Sequence, residues 1–181
     1  HPTLAVSQYL FAQYYLLSSS SPGQEAREIY DSLCRACPQD MALRRLSHAV
    51  QAHGMLSPGA TLPDFRLAVR PRHTASEARR DTICRGDYKG KHLLIIFWAG
   101  WKSGSQSALY RARKLRRDMK GKGRTLDIVS YSLDTDAAYL RDLERRDSVE
   151  FPSYCDYKAF ASDLAARWNI RRLPFFVLVD S

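Results

Sequence analysis

The stretch "HLLIIFWAGWKSGSQS", residues 92–107, decides the fold. Its first half is an apolar run after one histidine, as expected for a strand covered on both faces. Its second half passes through Ala99-Gly100-Trp101-Lys102-Ser103-Gly104 into small and polar residues that open a helix, predicted over about residues 104–120. Aromatic side chains crowd the front of this strand-to-helix corner. It looks built to hold a reactive group, yet it contains no obvious nucleophile.

Downstream, "GKGRT" makes a turn, "LDIVSYSLD" reads as a second strand and "DAAYLRDLERR" as a helix. After "FPSY" a further helix is predicted over "KAFASDLAARW", and "RRLPFFVLVDS" ends strand-like. Strands alternating with helices imply an α/β fold. The chain stops just past an apolar strand, so truncation or a C-terminus beyond residue 181 is expected.

Upstream, "LSPGATLPDFRLAV" clusters Pro and Gly before an extended segment and marks a boundary. Residues 71–88 are polar and irregular, although "TICRGDY" is compatible with a short strand. Residues 1–54 read as three short helices. The first carries the stripe Val6, Leu10, Tyr14 and Leu17. The second opens with Ser21 as N-cap and Pro22 and Glu25 behind it, carries Ala26, Ile29, Tyr30 and Leu33, and ends at Pro38. The third, from about Gln39, carries Met41, Leu43, Leu46 and Val50 and stops near Gly54. None would be stable alone. The expected division is a helical region over 1–57 and an α/β domain over 58–181.

With 45% apolar and 11% aromatic residues, the 181-residue chain can bury a real core. No segment approaches the ~18–20 consecutive apolar residues that span a membrane. The start at His1-Pro2 shows no signal-peptide pattern and reads as a mature fragment, so location must be argued indirectly. The net charge of +9 concentrates in Arg111, Arg113, Lys114, Arg116, Arg117, Lys120, Lys122 and Arg124. On a helix these surround the apolar stripe Ala108, Ala112, Leu115 and Met119, the pattern of a solvated face. A surface for anionic glycans, lipids or an acidic partner is the alternative. Nucleic acid is not expected, because no recognised binding motif accompanies the charge.

"LPDFRL", "DYKGKHLLIIFWAGW", "LDIVSYSLD" and "LAARWNIRRLPFFVLVD", in this order over about residues 58–181, resemble the landmarks of TlpA/ResA-like thioredoxin-fold proteins (AhpC/TSA-like, Bacteroidetes type). The resemblance implies a central mixed sheet flanked by helices, with an N-terminal helical segment like the linker found in such proteins. It implies a periplasmic or cell-envelope location, with a membrane tether only through segments outside this chain. The family's chemistry sits at a W-C-x-x-C motif between the first core strand and the next helix. There the helix N-terminus stabilises the first thiolate, which attacks a substrate disulfide, and the second cysteine resolves the mixed disulfide.

Laid onto this chain, the motif's Trp is Trp101, the cysteine positions are Lys102 and Ser105, and Ser103-Gly104 lie between. Lys102 brings positive charge to the positive end of a helix, the opposite of what a thiolate site needs. Ser105 cannot resolve a mixed disulfide. Many TlpA-like members carry a carboxylate just after the second cysteine, whereas Gln106, Ser107 and Ala108 supply none. No catalytic residue is therefore expected. Ser103 and Gln106 have a local explanation as a capping box, and no G-x-S-x-G pattern supports a serine nucleophile. The resemblance places the family's cis-proline at Leu173-Pro174, with a trans proline starting an edge strand as the alternative. Trp98 and Trp101 serve either packing or contact with a partner. With Leu173 and Pro174 they mark the candidate binding surface, whose expected partner is an extended peptide or protein.

Four cysteines are too few for a disulfide scaffold. Cys34-Arg-Ala-Cys37 is a C-x-x-C near a helix C-terminus, where the dipole raises a thiol's pKa. Idle thiols, a structural disulfide, and redox or metal activity all remain open for it. His48 and His53 lack convincing ligand spacing, and neither a metal nor a cofactor is expected. Cys84 and Cys155 match no reactive position of the family, and the peroxiredoxin pattern P-x-x-x-[TS]-x-x-C is absent. The expected function is a redox-inactive binding or structural module that lacks enzymatic activity. The alternative is a divergent thiol-disulfide oxidoreductase using Cys34/Cys37 or one cysteine.

Overall fold

In the computed structural model, described residues are 10, 24–41, 43, 44, 46, 47, 50, 56, 58–68, 82–146 and 151–180. The elements run α1 (Gln24–Ala36), β1 (Arg66–Ala68), β2 (Thr82–Cys84), β3 (His92–Trp98), α2 (Ser105–Gly121), β4 (Leu126–Ser132), α3 (Ala137–Arg146), β5 (Ser153–Tyr154), α4 (Asp163–Arg167) and β6 (Phe175–Val179). They divide into two compact units, His1–Thr61 with Arg167–Asn169, and Leu62–Ala166 with Ile170–Ser181.

In the first unit, Leu33 of α1 packs with Leu43, Leu46 and Val50, and Tyr30, Cys34 and Cys37 line the edge of this cluster. Asp40 caps the helical residues that follow by accepting the Leu43 N–H at 3.3 Å. The Tyr30 hydroxyl donates to the Leu43 carbonyl at 3.2 Å and ties the two helical stretches together. Val6, Tyr14, Leu17, Ser21, Pro22, His48 and His53 lie outside the described residues.

The second unit is built on a mixed four-stranded sheet of order β5-β4-β3-β6. β3 runs parallel to β4 and antiparallel to β6, with Ile95 opposite both Val129 and Val177. The apolar run is buried on both faces, as its composition predicts. On one face Leu94, Ile96 and Trp98 pack with Leu109 and Ala112 of α2, Leu140 and Leu143 of α3, and Phe151. On the other, Leu93, Ile95, Phe97, Val129 and Tyr131 are all buried. The Phe97 ring meets those of Tyr131 and Phe175 at 5.5 and 6.4 Å. A separate two-stranded ribbon pairs β1 with β2 antiparallel.

Two local expectations are corrected and one element is added. The predicted helix over "KAFASDLAARW" is broken into a 3-10 turn, Ala159–Ala161, and the short α4. Ser162 sits between them in an extended conformation, its carbonyl accepting the Ala166 N–H that starts α4 and its hydroxyl bonded to Tyr131 at 2.5 Å. That tertiary bond outweighs helix propensity. "FPSY" contributes the edge strand β5, too short for any periodicity to reveal. The buried stripe of α2 is Ser105, Ala108, Leu109 and Ala112, while Leu115 is exposed and Met119 half-buried. The helix is thus turned to bring Leu109 inward in place of Leu115.

Candidate functional site at the strand-to-helix corner

At the end of β3 the chain makes two tight turns before α2. The Lys102 N–H donates to Ala99 O at 3.1 Å, and the Ser105 N–H donates to Lys102 O at 3.2 Å. Gly104 then occupies the N-cap position at φ 85°, ψ −15°. This left-handed conformation is open to glycine at little cost and strained for other residues. No side chain caps the helix start, so the expected Ser103/Gln106 capping box is not formed. A left-handed Gly104 points the chain away from the geometry such a box requires, and both residues are exposed.

The two positions that correspond to the motif's cysteines differ sharply. Lys102 is exposed at the tip, while Ser105 is fully buried and its hydroxyl accepts the Ala99 N–H at 3.4 Å. Ser105 therefore fills space and helps hold the corner's backbone.

Asp134 is the residue that the sequence reading missed. It lies just past β4, 1% exposed, and its carboxylate accepts the Gly100 N–H at 3.0 and 3.1 Å. The same carboxylate accepts the Ser132 hydroxyl at 2.7 Å, and that hydroxyl oxygen in turn accepts the Asp134 N–H at 3.0 Å. A buried carboxylate thus pins the corner through charge-assisted hydrogen bonds. Tyr139 and Leu143 of α3 press on the same point. A Cβ at Gly100 would lie 2.7 Å from the Tyr139 ring and 3.1 Å from Leu143, which accounts for glycine there. The only hint in the sequence is an acidic residue ending an apolar strand.

The candidate binding residues separate. Trp98 is fully buried in the core, so it supports the corner from beneath and presents no surface. Trp101 is 56% exposed, and its ring stands edge-on to that of Phe160 at 6.3 Å. Phe160, itself 39% exposed, is a further addition to the sequence-derived set. The Leu173–Pro174 peptide bond is cis. Because Phe175 pairs with Phe97 in antiparallel register, Pro174 and Leu173 arrive at the level of Trp98 and Ala99, beside the corner. Leu173 is buried and Pro174 half-buried.

All four cysteines are free thiols and half-buried. Cys34 and Cys37 belong to the small cluster around Leu33. The Cys155 thiol donates to Asp134 O at 3.2 Å, and its sulfur accepts the Tyr157 N–H at 3.4 Å.

No family model matches the chain, and no curated protein sequence matches it. Solved structures do. The C-terminal domain of a protein assigned as a thiol-disulfide oxidoreductase from Bacteroides thetaiotaomicron is similar at 26% identity and a TM-score of 0.53, covering 65% of this chain and 76% of that one. The thioredoxin domain of a thiol-disulfide oxidoreductase from Bacteroides vulgatus is similar at 21% identity and a TM-score of 0.55, covering 69% and 82%. A thiol-disulfide oxidoreductase from Bacteroides fragilis is similar at 22% identity and a TM-score of 0.53, covering 65% and 81%. The second unit has the thioredoxin-like fold of these proteins.

Proposed function

We propose that this thioredoxin-fold chain is a binding module that has given up thiol-disulfide exchange, and that it engages an extended peptide segment at the surface of Trp101, Phe160 and Pro174, with Leu173 buried beneath it. The observation that carries the reading is the replacement at the corner. The exposed tip position is Lys102, and the buried position behind it is Ser105, whose hydroxyl is engaged by Ala99. Exchange needs a thiolate to attack and a second thiol to resolve the mixed disulfide, and neither atom is present there.

What remains suits recognition. An exposed aromatic pair offers apolar area at low conformational cost, and it sits on a corner that Asp134 and Gly100 hold rigid. The alternative through Cys34/Cys37 is disfavoured by their place against the small apolar cluster of Leu33, Leu43, Leu46 and Val50. An envelope location accords with the resemblance to TlpA-like proteins and belongs to the same proposal.

The test is dithiothreitol-dependent reduction of insulin, run beside pH-dependent alkylation of the four thiols. The expected outcome is turnover at the uncatalysed rate and no thiol that alkylates faster than an ordinary cysteine at neutral pH. Robust reduction that disappears in cysteine-to-serine variants would overturn the proposal.

A further inference from the structure

We propose that the outward face of α2 docks the protein on an anionic lipid surface, where Arg111, Lys114, Arg117 and Lys120 meet phosphate headgroups and Tyr110 settles among them. This face is a second surface, separate from the corner, and the inference stands whether or not a peptide binds there.

The charge of the chain is concentrated on this element. Residues 105–124 hold eight lysines and arginines against one carboxylate, Asp118. Of the chain's 28 basic and 19 acidic side chains, that leaves 20 against 18 elsewhere, close to neutrality. Ser105, Ala108, Leu109 and Ala112 bury one side of α2, which turns the opposite arc outward. Tyr110 and Arg111 precede Lys114 by one turn and Arg117 follows it by one, so the four share that arc. All four are exposed, Tyr110 by 60%. Lys120, Lys122 and Arg124 extend the exposed basic row past the helix end. Arg113 is half-buried and engaged elsewhere. Among the described residues, no side-chain hydrogen bond or ion pair occupies Arg111, Lys114, Arg116, Arg117, Lys120, Lys122 or Arg124. The carboxylates of neighbouring elements are committed. Asp127 lies 3.7 Å from Lys91 and Asp142 lies 3.6 Å from Arg145, and Glu144 is engaged as well. Asp118 alone on α2 opposes the row.

From Arg111 to Lys120 the cations run for about 14 Å along the outer side of the helix. Such a convex ridge of long, rotatable side chains matches a plane of diffuse negative charge. A protein interface instead centres on a desolvated apolar core and is depleted in lysine. On this arc the apolar contribution is Tyr110, while Leu115 lies three residues from Ala112 at the margin of the buried stripe. An exposed tyrosine among cations suits the headgroup level of a bilayer. Because α2 stays fixed to the sheet by its buried side, it rests on the headgroups, and its attraction weakens as salt screens it. Each cation at the surface should contribute about 5-fold to partitioning.

The experiment is co-sedimentation of the whole chain with vesicles of phosphatidylcholine, alone or with about one-third phosphatidylglycerol. It is run at about 0.1 M and about 1 M salt. The wild-type chain should sediment with the anionic vesicles only, and only at the lower salt. Lys114→Gln/Arg117→Gln, which keeps good helix formers at two exposed positions, should lose about 25-fold in partitioning. Arg27→Gln/Arg35→Gln on α1 has the same net charge and should match the wild-type chain. The emission of a Tyr110→Trp chain should shift to the blue on the anionic vesicles, beyond any shift of the wild-type chain. Equal losses in the two double variants would overturn the proposal, since net charge would then suffice. Binding without the Tyr110→Trp shift would also overturn it, because another face would be making the contact. No sedimentation with the anionic vesicles at the lower salt would overturn it outright, and retention of a short DNA duplex in that case would give the face to nucleic acid.

Discussion

Asp134 gives the sharpest test of how the corner is held. Replacing it with alanine removes the acceptor for two donors, the Gly100 N–H at 3.0 and 3.1 Å and the Ser132 hydroxyl at 2.7 Å. A buried donor left without its partner costs about 1–3 kcal/mol. Ser132 is fully buried and Gly100 half-buried, so the first sits at the upper part of that range and the second below it. Against this stands the relief from no longer desolvating a carboxylate. The balance is a loss of about 2–4 kcal/mol for Asp134→Ala. Asp134→Asn keeps one carbonyl oxygen for Gly100 but turns an amide toward Ser132, and should cost about 1–2 kcal/mol. The assay is equilibrium urea unfolding followed by tryptophan fluorescence, read as a change in midpoint at constant m-value. Asp134→Ala should also weaken partner binding beyond what the unfolded fraction explains, because Gly100 immediately precedes Trp101. A change below about 0.5 kcal/mol, the scatter of ordinary surface substitutions, would refute the claim that this carboxylate holds the corner.

Two further predictions concern the core beneath the site. Burial pushes the Tyr131 hydroxyl well above the usual tyrosine range, partly offset by its hydrogen bond to Ser162. Above about pH 10 the unfolded chain therefore loses a proton that the folded chain keeps, so stability falls as pH rises. Tyr131→Phe should remove this alkaline slope while costing about 1–2 kcal/mol at neutral pH; an unchanged slope between pH 9 and 12 in urea titrations would show that Tyr131 is not its source. The two tryptophans of the corner should behave oppositely. Trp98→Ala empties the core and should cost about 3–5 kcal/mol, whereas Trp101→Ala forfeits mainly its contact with Phe160, about 0.5–1.5 kcal/mol, and abolishes partner binding. Equal thermal shifts for the two variants would contradict the burial assigned to Trp98.

Sheet and helix alternation was legible because β3 and β4 are buried on both faces and so read as apolar runs. The interruption before α4 was not, since "KAFASDLAARW" has the composition of one helix. What breaks it is a hydroxyl contact between residues 31 positions apart in the chain. Asp134 was hidden for the same reason. Its partner Gly100 lies 34 positions away, and no local pattern distinguishes a carboxylate that pins a loop from one that ends a strand in solvent. At the corner itself the exposure of position 102 and the burial of position 105 were not legible in the residue types. The S-x-x-Q capping signature misled, because a left-handed Gly104 had already set the helix start. Phe160 could be placed beside Trp101 only once the chain between β5 and α4 was seen to loop back.

The shape of the corner rests on backbone conformation, packing and hydrogen bonds. Gly104 sets the entry to α2 by its backbone conformation, Gly100 by making room for Tyr139 and Leu143, and Asp134 by accepting a backbone N–H. None of these depends on a sulfur atom. The buried position 105 needs only a small side chain that does not orphan the Ala99 N–H, and serine meets both conditions at 3.4 Å. The tip position is exposed, so its identity is nearly free of folding constraint. A lysine there works against anionic sulfur at the positive end of a helix.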